Sequence, residues 1–483
     1  MQEIRFEAPE YNADGSFTTA QFLFKGDLEN GWQIARNDQP HLRLGPGYIA
    51  VRNRRCGVCS TDLARRFLPY PLPQVIGHEV VAEHDGQPVV VEINASHKAR
   101  GHEWERCAWC AGGMDSHCPE RITLGIDRLP GGFAPWLLAP QHAVIPIPEG
   151  VDPLAANLTE PLAAALRGVE VTWPHEGERV AVLGPRRLGA LAIAALAGFR
   201  KERQISFTIT ALTRHEHLGV MAKGLGADDV IDPNDGLADG SYDVVFDTTG
   251  TPDGFELALR LANRAVHLKS THGREVMGLN HLSDLVVDEQ AILPCRPESL
   301  DYHWPGETQE GQPPRANPNV YVSPSVPKEM LRHLAVIDPH RFHRLPPEQA
   351  WFYLQQPCAL TEGSPVPRFD LAIAGSLADL DTIIRPNGGP SGSLLRPGGA
   401  VMLVAEEVNA LSDAVCRRGL EIHTSRCGDF RAALEVMQKN PAIAATMRDN
   451  MITHRFTLDQ IDKAFAIAAD SSKSVKVVVD VSE

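Results

Sequence analysis

The chain has 483 residues, of which 43% are apolar and 22% are charged, and its formal net charge is −15. This length predicts two or three domains, and the negative charge argues against nucleic acid or an anionic membrane surface as a partner. Residues 1–10 contain no apolar run of the secretory type, and no stretch reaches the ~18 apolar residues of a membrane span, so we expect a soluble cytoplasmic protein.

Short β-rich segments broken by glycine and proline occupy the chain up to about residue 148. The predicted strands there are residues 48–53, 75–83, 89–93, 134–138 and 143–147. This spacing is typical of a compact, mostly antiparallel β domain.

From residue 178 onward, strands and helices alternate. Strands are predicted at residues 180–183, 207–212, 244–246 and 265–268, and helices at 188–196, in a stretch that ends at 225, and at 255–261. Such alternation indicates βαβ units and a parallel sheet. Residues 297–368 interrupt it with a turn-rich loop at 305–314 and short predicted helices at 328–336 and 347–354. Further strands are predicted at 371–374, 401–404 and 475–481, and further helices at 429–438 and 458–468.

One part of the chain resembles another. The segment YDVVF that begins at Tyr242 is similar to the segment FDLAI that begins at Phe369. Each is followed by a strand-like run, at 265–268 and 400–404, and then by Leu-Ser-Asp, at 282–284 and 411–413. A duplicated end of the parallel sheet and a chance likeness between strand–helix–strand units both remain open.

Three clustered cysteines, Cys107, Cys110 and Cys118, form the strongest local signal. A Zn²⁺ site takes four ligands in a tetrahedron, and a Cys-x-x-Cys turn brings two thiolates to one point. In an intracellular chain, clustered cysteines bind metal more often than they form disulfides. Three nearby side chains are candidates for the fourth ligand: His102, Glu103 and His117. The alternative is a group of reduced, buried thiols.

A second set of metal-ligand residue types is spread along the chain: Cys56, Cys59, His78, Glu79 and Glu160. One thiolate, one imidazole and one carboxylate would leave a coordination position of zinc open, as catalysis requires. In an extended segment His78 and Glu79 point to opposite faces, so His78 is the better ligand, with Glu79 nearby or exchanging. The alternatives are ordinary surface or satisfied residues, and a dithiol redox pair for Cys56 and Cys59.

A glycine turn joins the strand at 180–183 to the following helix. It carries Gly184, Arg186, Leu188 and Gly189 in that order. The dinucleotide fingerprint is G-x-G-x-x-G, and Arg186 occupies the position of the middle glycine, where its side chain could either reach a phosphate or block it.

The next strand ends at Thr213 and Arg214. NAD-binding proteins carry an acid at about this position, where it bonds the ribose 2′-hydroxyl. A threonine followed by a cation favours a 2′-phosphate and hence NADP(H) over NAD(H). The alternative is that Arg214 is only a solvated charge.

Together these motifs resemble the medium-chain, zinc-dependent alcohol and polyol dehydrogenases. The resemblance covers roughly residues 27–272 and 412–483, and its motifs lie at 56–62, 77–79, 107–118, 132–134, 160–163, 180–189 and 269–271. It implies an α/β fold class with a GroES-like, β-rich catalytic domain at 1–155, completed by 430–483. A Rossmann cofactor domain at 156–429 follows, with an insertion at about 273–410 that has no counterpart in the family.

The resemblance also implies roles for individual residues. Cys59 and His78 match ligands of a catalytic zinc ion, and Glu160 or Glu79 completes or exchanges in its ligand sphere. Thr61 matches the hydroxyl that relays the substrate proton. The three clustered cysteines match three of the four ligands of a structural zinc ion, and Trp104 stands where the family has the other one.

The activity implied is hydride transfer between NADP(H) and a secondary alcohol, polyol or sugar derivative and its ketone. The implied partners are a small alcohol or carbonyl substrate and further copies of the chain in a homo-oligomer. Two alternatives remain open: a zinc-free NADPH-dependent reductase on the same fold, and a non-catalytic zinc-binding protein.

Overall fold

The computed structural model describes residues 1–111, 113–269, 274–295, 319–328, 342–354, 368–386, 392–405 and 409–481. The loop expected at 305–314, almost all of the helix expected at 328–336, and Ser270 and Thr271 of the last family motif lie outside these residues. The chain divides into two compact units, residues 1–163 with 427–483 and residues 164–426. A search of the described helices finds none with the length and apolarity of a membrane span.

Strands make up much of both units. In chain order they are β1 (Gln2–Tyr11), β2 (Phe17–Asp27), β3 (Gly31–Arg36), β4 (Gln39–Leu44), β5 (Tyr48–Val58), β6 (Glu79–His84), β7 (Gln87–Val91), β8 (Asn94–Ala95), β9 (Ile122–Thr123), β10 (Trp136–Pro140), β11 (Val144–Pro146), β12 (Arg179–Leu183), β13 (Thr208–Leu212), β14 (Asp229–Ile231), β15 (Tyr242–Asp247), β16 (Ala262–Leu268), β17 (Ala291–Pro294), β18 (Val320–Val322), β19 (Phe342–His343), β20 (Phe369–Ala374), β21 (Leu395–Leu403), β22 (Glu421–Thr424), β23 (Ile452–Thr457) and β24 (Lys476–Asp480).

The helices vary from single turns to sixteen residues. They are α1 (Ser60–Leu63), α2 (His97–Arg100), α3 (Ala108–Ala111), α4 (Thr159–Thr172), α5 (Leu188–Arg203), α6 (Glu216–Gly224), α7 (Pro252–Leu261), α8 (Leu282–Val287), α9 (Pro347–Leu354), α10 (Leu377–Ile384), α11 (Ala410–Ser412), α12 (Phe430–Lys439), α13 (Pro441–Thr446) and α14 (Ile461–Ala469).

The first unit is built on mostly antiparallel sheets, in which β23 and β24 form a parallel pair. Strands β1 to β4 form a four-stranded meander, and a seven-stranded sheet has the order β11-β7-β6-β5-β24-β23, with β10 also paired to β5. Valine-rich strands fill its interior, with Val51, Val80, Val90 and Val478 all buried. The expected β-rich domain is therefore confirmed, and its central strand β5 leads directly into the turn that carries Cys59.

The second unit contains one sheet of eleven strands. Six of them run parallel in the order β14-β13-β12-β15-β16-β22, which in chain order is 3-2-1-4-5-6, the arrangement of a Rossmann fold. The order reverses between β12 and β15, so a crevice for a ligand is expected at the end of β12. The other five strands, β17-β21-β20-β18-β19, come from the insertion and extend the sheet beyond β22. The expected α/β fold class is confirmed.

Candidate functional site

A buried carboxylate organises the turn that carries Cys59. The backbone N–H of Cys59, the residue before α1, donates to Oδ2 of Asp62 at 2.8 Å. The other oxygen of Asp62, Oδ1, accepts from the Gly77 N–H at 3.2 Å and lies 3.3 Å from Nδ1 of His78. The charge of Cys59 also acts on His78, so the two side chains are within electrostatic range of each other. Asp62 therefore holds the thiol-bearing turn and the imidazole side by side.

The electrostatic environment of His78 is negative. Burial acts to lower the pKa of His78, but the charges of Asp62 and Cys59 outweigh it and raise the pKa well above its usual range. A pocket that favours a buried imidazolium holds an excess of negative charge, and the same excess favours a divalent cation. The donor set and its charge therefore fit a zinc ion.

Two carboxylates lie near this pair. Nζ of Lys476 on β24 donates to Oε1 of Glu79, whereas Oε2 of Glu79 is buried and has no hydrogen-bond partner among the described residues. Burial raises the pKa of Glu160 in the first turn of α4, while the charges of His78 and Lys476 act to lower it. The carboxylate of Glu160 is thus within electrostatic range of His78 and Lys476.

The site residues predicted from the sequence are brought together only in part. Asp62 connects the turn of Cys59 to the ring of His78, and Thr61 lies half-buried in α1. Ligand atoms of Cys59, His78, Glu79 and Glu160 do not form a set of three within 4.8 Å of one another, by a search of all described residues. Their assignment to a catalytic zinc ion therefore stays a prediction.

Cys56 does not act as a redox partner of Cys59 in this structure. Both cysteines are free thiols. Burial, with the nearby charges of Asp62 and Glu79, raises the pKa of the Cys56 thiol well above its usual range. A thiol held protonated is a poor nucleophile, which argues against the dithiol alternative.

A second cluster has the geometry of a closed metal site. The ligand atoms of His97, Cys107, Cys110 and Cys118 all lie within 4.8 Å of one another. Sγ of Cys107 is 3.9 Å from Sγ of Cys118, and Nδ1 of His97 is 3.2 Å from the same sulfur. Tetrahedral zinc with Zn–S bonds of about 2.3 Å separates two thiolates by about 3.8 Å, so the spacing fits zinc.

The fourth member of this cluster is His97, rather than His102, Glu103 or His117. His97 is the first residue of α2, directly after the N-cap residue Ser96, whose hydroxyl accepts from the Ala99 N–H at 3.1 Å. Its Nε2 lies 3.1 Å from Oε2 of Glu120, as in metal sites where a carboxylate orients the ligating imidazole.

Cys110 of this cluster needs a nearby cation to ionise at neutral pH. Burial, followed by the neighbouring Cys118 and Cys107, raises the pKa of Cys110 to about 12. Without a metal ion the thiol would stay protonated at neutral pH, whereas zinc binds the thiolate form. The cluster is therefore suited to hold zinc and not to carry out thiol chemistry.

The turn after β12 has the tight geometry of a nucleotide-binding loop. Gly184 has a φ of +79°, and the Arg186 N–H donates to the Gly184 carbonyl at 2.7 Å. A Cβ atom at Gly189 would lie 2.5 Å from both the Gly184 carbonyl oxygen and Oγ1 of Thr248, so only glycine allows the helix to pack this closely. The turn lies at the point where the strand order reverses, and it fits a dinucleotide.

The end of β13 carries no carboxylate. Thr213 is buried, and its hydroxyl accepts from the His215 N–H at 3.1 Å. Arg214 is exposed, and the rings of His215 and His217 lie 5.8 Å apart. Arginine and imidazole groups at this strand end are compatible with a phosphate.

Comparison with known proteins identifies the family. The alcohol dehydrogenase GroES-like domain matches residues 45–149. An L-threonine 3-dehydrogenase of Mesorhizobium japonicum is 28% identical over 258 residues, which cover 50% of this chain and 70% of the relative. A sorbitol dehydrogenase of Halalkalibacterium halodurans is 29% identical over 206 residues, which cover 41% of this chain and 59% of the relative. By these comparisons the chain is similar to the medium-chain, zinc-type alcohol and polyol dehydrogenases.

Solved structures share the fold of this dehydrogenase. The L-idonate 5-dehydrogenase of Escherichia coli superimposes with a TM-score of 0.55 at 13% identity, covering 99% of each chain. A zinc-binding dehydrogenase from Sinorhizobium meliloti 1021, solved with NADP bound, gives a TM-score of 0.53 at 18% identity and covers 99% of this chain and all of its own. At these identities the likeness concerns the fold alone.

Two residues that organise the candidate site, Asp62 and Lys476, were not predicted from the sequence. Asp62 lies three residues after Cys59, where the first turn of a helix brings a carboxylate back to the capping residue, so this spacing could have identified it. Lys476 is 397 residues from Glu79, and no local pattern connects the two.

Proposed function

We propose that this dehydrogenase transfers hydride between NADP(H) and a secondary alcohol, polyol or sugar derivative and its ketone. Cys59, His78 and the carboxylate of Glu160 or Glu79 would hold the catalytic zinc ion. The observation that carries the proposal is that one buried carboxylate, Asp62, holds the Cys59 backbone with one oxygen and faces the His78 ring with the other.

Each protein group has a defined task in this proposal. A zinc ion bound at the site supplies Lewis acidity, which lowers the pKa of a substrate alcohol. The Thr61 hydroxyl both donates and accepts, so it can carry the released proton away from the substrate oxygen. Asp62 fixes the ring of His78, and Lys476 holds Glu79 through one oxygen.

The cofactor would be held by the second unit. Backbone N–H groups at the start of α5, together with the turn at Gly184, suit the pyrophosphate. Arg214 would bind the 2′-phosphate of NADP(H). We also expect a structural zinc ion at His97 and the three clustered cysteines, and a cytoplasmic homo-oligomer acting on a small-molecule substrate.

Metal analysis combined with a substrate screen tests the proposal. Purified protein should contain about two zinc ions per chain, and it should oxidise at least one secondary alcohol, polyol or sugar with NADP. Turnover that persists after complete removal of zinc would instead favour the zinc-free reductase. If neither NADPH nor NADH raises the melting temperature, the non-catalytic alternative gains support, since a ligand at 100 times its Kd adds about 2.7 kcal/mol.

Replacing Arg214 with alanine should weaken NADP(H) binding about 10- to 100-fold, because a hydrogen bond to a charged group contributes roughly 1.5–3 kcal/mol. NAD(H) binding should stay unchanged, since NAD(H) has no 2′-phosphate. Fluorescence titration with both cofactors measures the two Kd values in the same variant. Equal losses for the two cofactors would contradict the assignment of Arg214.

Replacing Asp62 with asparagine should lower zinc affinity or turnover about 10- to 100-fold, as is usual when the carboxylate behind a ligating histidine is lost. An amide has only one oxygen and cannot accept from Cys59 and Gly77 while facing His78. Zinc content after dialysis, together with kcat, gives the readout. The exposed Asp14, changed to asparagine in the same way, serves as the control. A variant at Asp62 with full metal content and full kcat would be evidence against the arrangement.

A further inference from the structure

The inserted strands reproduce the order of the strands that they extend. Outward from the centre of the sheet, the first half reads β22-β16-β15-β12-β13, and the inserted half reads β17-β21-β20-β18-β19. All neighbours within each half are parallel, whereas β22 and β17 meet antiparallel. The two halves have the same strand order, and their central strands β22 and β17 pair antiparallel. The halves are therefore related by a two-fold axis that passes between β22 and β17.

The axis passes between equivalent residues. The bridge that joins the halves connects Ile292 and Ile422. Each is the second residue of its four-residue strand, and each strand follows a helical segment that contains Leu-Ser-Asp. In an arrangement with two-fold symmetry, a residue can pair with its own equivalent only at the axis. The pairing of Ile292 with Ile422 therefore marks the position of the axis.

A repeated hydrogen bond supports the same correspondence. The side chain of Asp243 on β15 accepts from the backbone N–H of Arg179, at the start of β12, at 2.8 Å. The side chain of Asp370 on β20 accepts from the backbone N–H of Asn319, directly before β18, also at 2.8 Å. Asp243 and Asp370 are the second residues of the two similar segments found in the sequence.

The irregularities of the two halves coincide as well. The pairing of β15 with β16 shifts in register between Tyr242 and Val244. The pairing of β20 with β21 shifts between Phe369 and Leu371, which are the corresponding residues. β-Bulges are specific features of a fold, so a bulge at the same place indicates a duplication and argues against a chance likeness.

The two halves exchange their central strands. After β16 the chain forms β17, which belongs to the inserted half, and after β21 it forms β22, which completes the first half. Each half thus contains one strand from the other's part of the sequence, as in domain-swapped dimers, but within one chain.

Among the residues that the structure describes, the inserted half lacks the features of a cofactor site. The turn after β18 reads Ser-Pro-Ser-Val, without glycine. A Cβ atom at Gly375, after β20, would collide with Ser325, so the two strand ends are already in close contact. The carboxylate of Asp379 accepts from Ser325 Oγ and, at 3.2 Å, from the Gly375 N–H, so an anion of the protein itself lies where a phosphate would bind.

We propose that the insertion is a second, non-binding copy of the nucleotide-binding half that acts as an internal partner subunit. It covers the edge of β22, whose unpaired backbone groups would otherwise be available to another chain. One chain then binds one cofactor, and a homo-oligomer would use a surface other than this edge.

The pairing of the inserted half with the first half within one chain can be tested by cross-linking the full-length double variant Ile292→Cys/Ile422→Cys. Opposed residues of antiparallel strands have Cα atoms about 4.5–5.5 Å apart, which a disulfide can join. We expect mild oxidation to link the two peptides within one chain, shown by peptide mass spectrometry and by monomer mass on a non-reducing gel. The single variants, which keep the nine native cysteines, serve as controls. A link between two chains, or no link in a folded protein that still binds cofactor, would overturn the proposal.

Cofactor stoichiometry gives a second measurement on the unmodified chain. The expected stoichiometry rests on the proposed function. Equilibrium dialysis with NADPH should give one bound cofactor per chain. Two would refute the claim that the inserted half binds none. Binding of no cofactor would contradict the proposed function while agreeing with a non-binding inserted half, so the two failures are distinguishable.

Discussion

Replacing Cys59 with serine should reduce kcat at least about 1000-fold while the protein stays folded. Lewis-acid activation by zinc contributes several kcal/mol of transition-state stabilisation, and each 1.36 kcal/mol corresponds to a factor of ten. A serine hydroxyl stays protonated at neutral pH and is a poor zinc ligand, so the catalytic ion should be lost. Steady-state kinetics, zinc content and circular dichroism together separate loss of the ion from loss of the fold.

Cys56→Ser is the matched control for this variant. Cys56 is buried in the same strand end, and its thiol donates to the Gly57 carbonyl at 3.5 Å, a bond that a serine hydroxyl can also make. It should keep its zinc and most of its turnover, with a stability loss of about 1 kcal/mol. If both serine variants were equally inactive, the two cysteines would act as a pair. An active Cys59→Ser protein would refute the zinc mechanism.

Replacing His97 with alanine should release one of the two expected zinc ions and destabilise the first unit. A loss of a ligating group should weaken binding by at least the roughly 100-fold that loss of a supporting group costs. A 100-fold loss at saturating metal corresponds to about 2.7 kcal/mol, or a fall in melting temperature of roughly 5–10 °C. Zinc content by atomic absorption and differential scanning calorimetry measure the two effects.

His102→Ala is the control for the His97 variant. His102 is exposed, lies five residues further along the same lobe, and is not part of the four-residue cluster. It should keep both zinc ions and the melting temperature of the unmodified protein. Zinc loss in the His102 variant but not in the His97 variant would show that the sequence-based candidate is the ligand after all.

Much of the fold can be predicted from the sequence, because buried parallel strands and amphipathic helices have strong periodic signals. The helix predicted at 347–354 has the observed bounds, Pro347–Leu354, and the strand predicted at 180–183 lies within Arg179–Leu183. The first four strands were not predicted. Their alternation is present, with Ile4, Phe6 and Ala8 on one face of β1 and charged residues between them, so this periodicity could have identified β1.

The candidate sites, like the fold, could be predicted from the sequence only in part. Cys59 and His78 are predicted by motifs within a few residues, since local backbone geometry fixes the direction of their side chains. His97 is not, because its position depends on how a longer loop folds back over the cysteines. The exchange of β17 and β22 could not be predicted from local sequence either. Both strands have the same type of sequence, so each would fit in either half of the sheet.

The bond between Lys476 and Glu79 spans 397 residues. At about 5–20 residues per second, a ribosome needs roughly 20–80 s to add β24 after it has made Glu79. During that interval the nascent polypeptide already exposes Cys59 and His78, whereas the carboxylate beside them lacks its ammonium partner. The ion pair that holds Glu79 is therefore expected to form only after β24 has been synthesised.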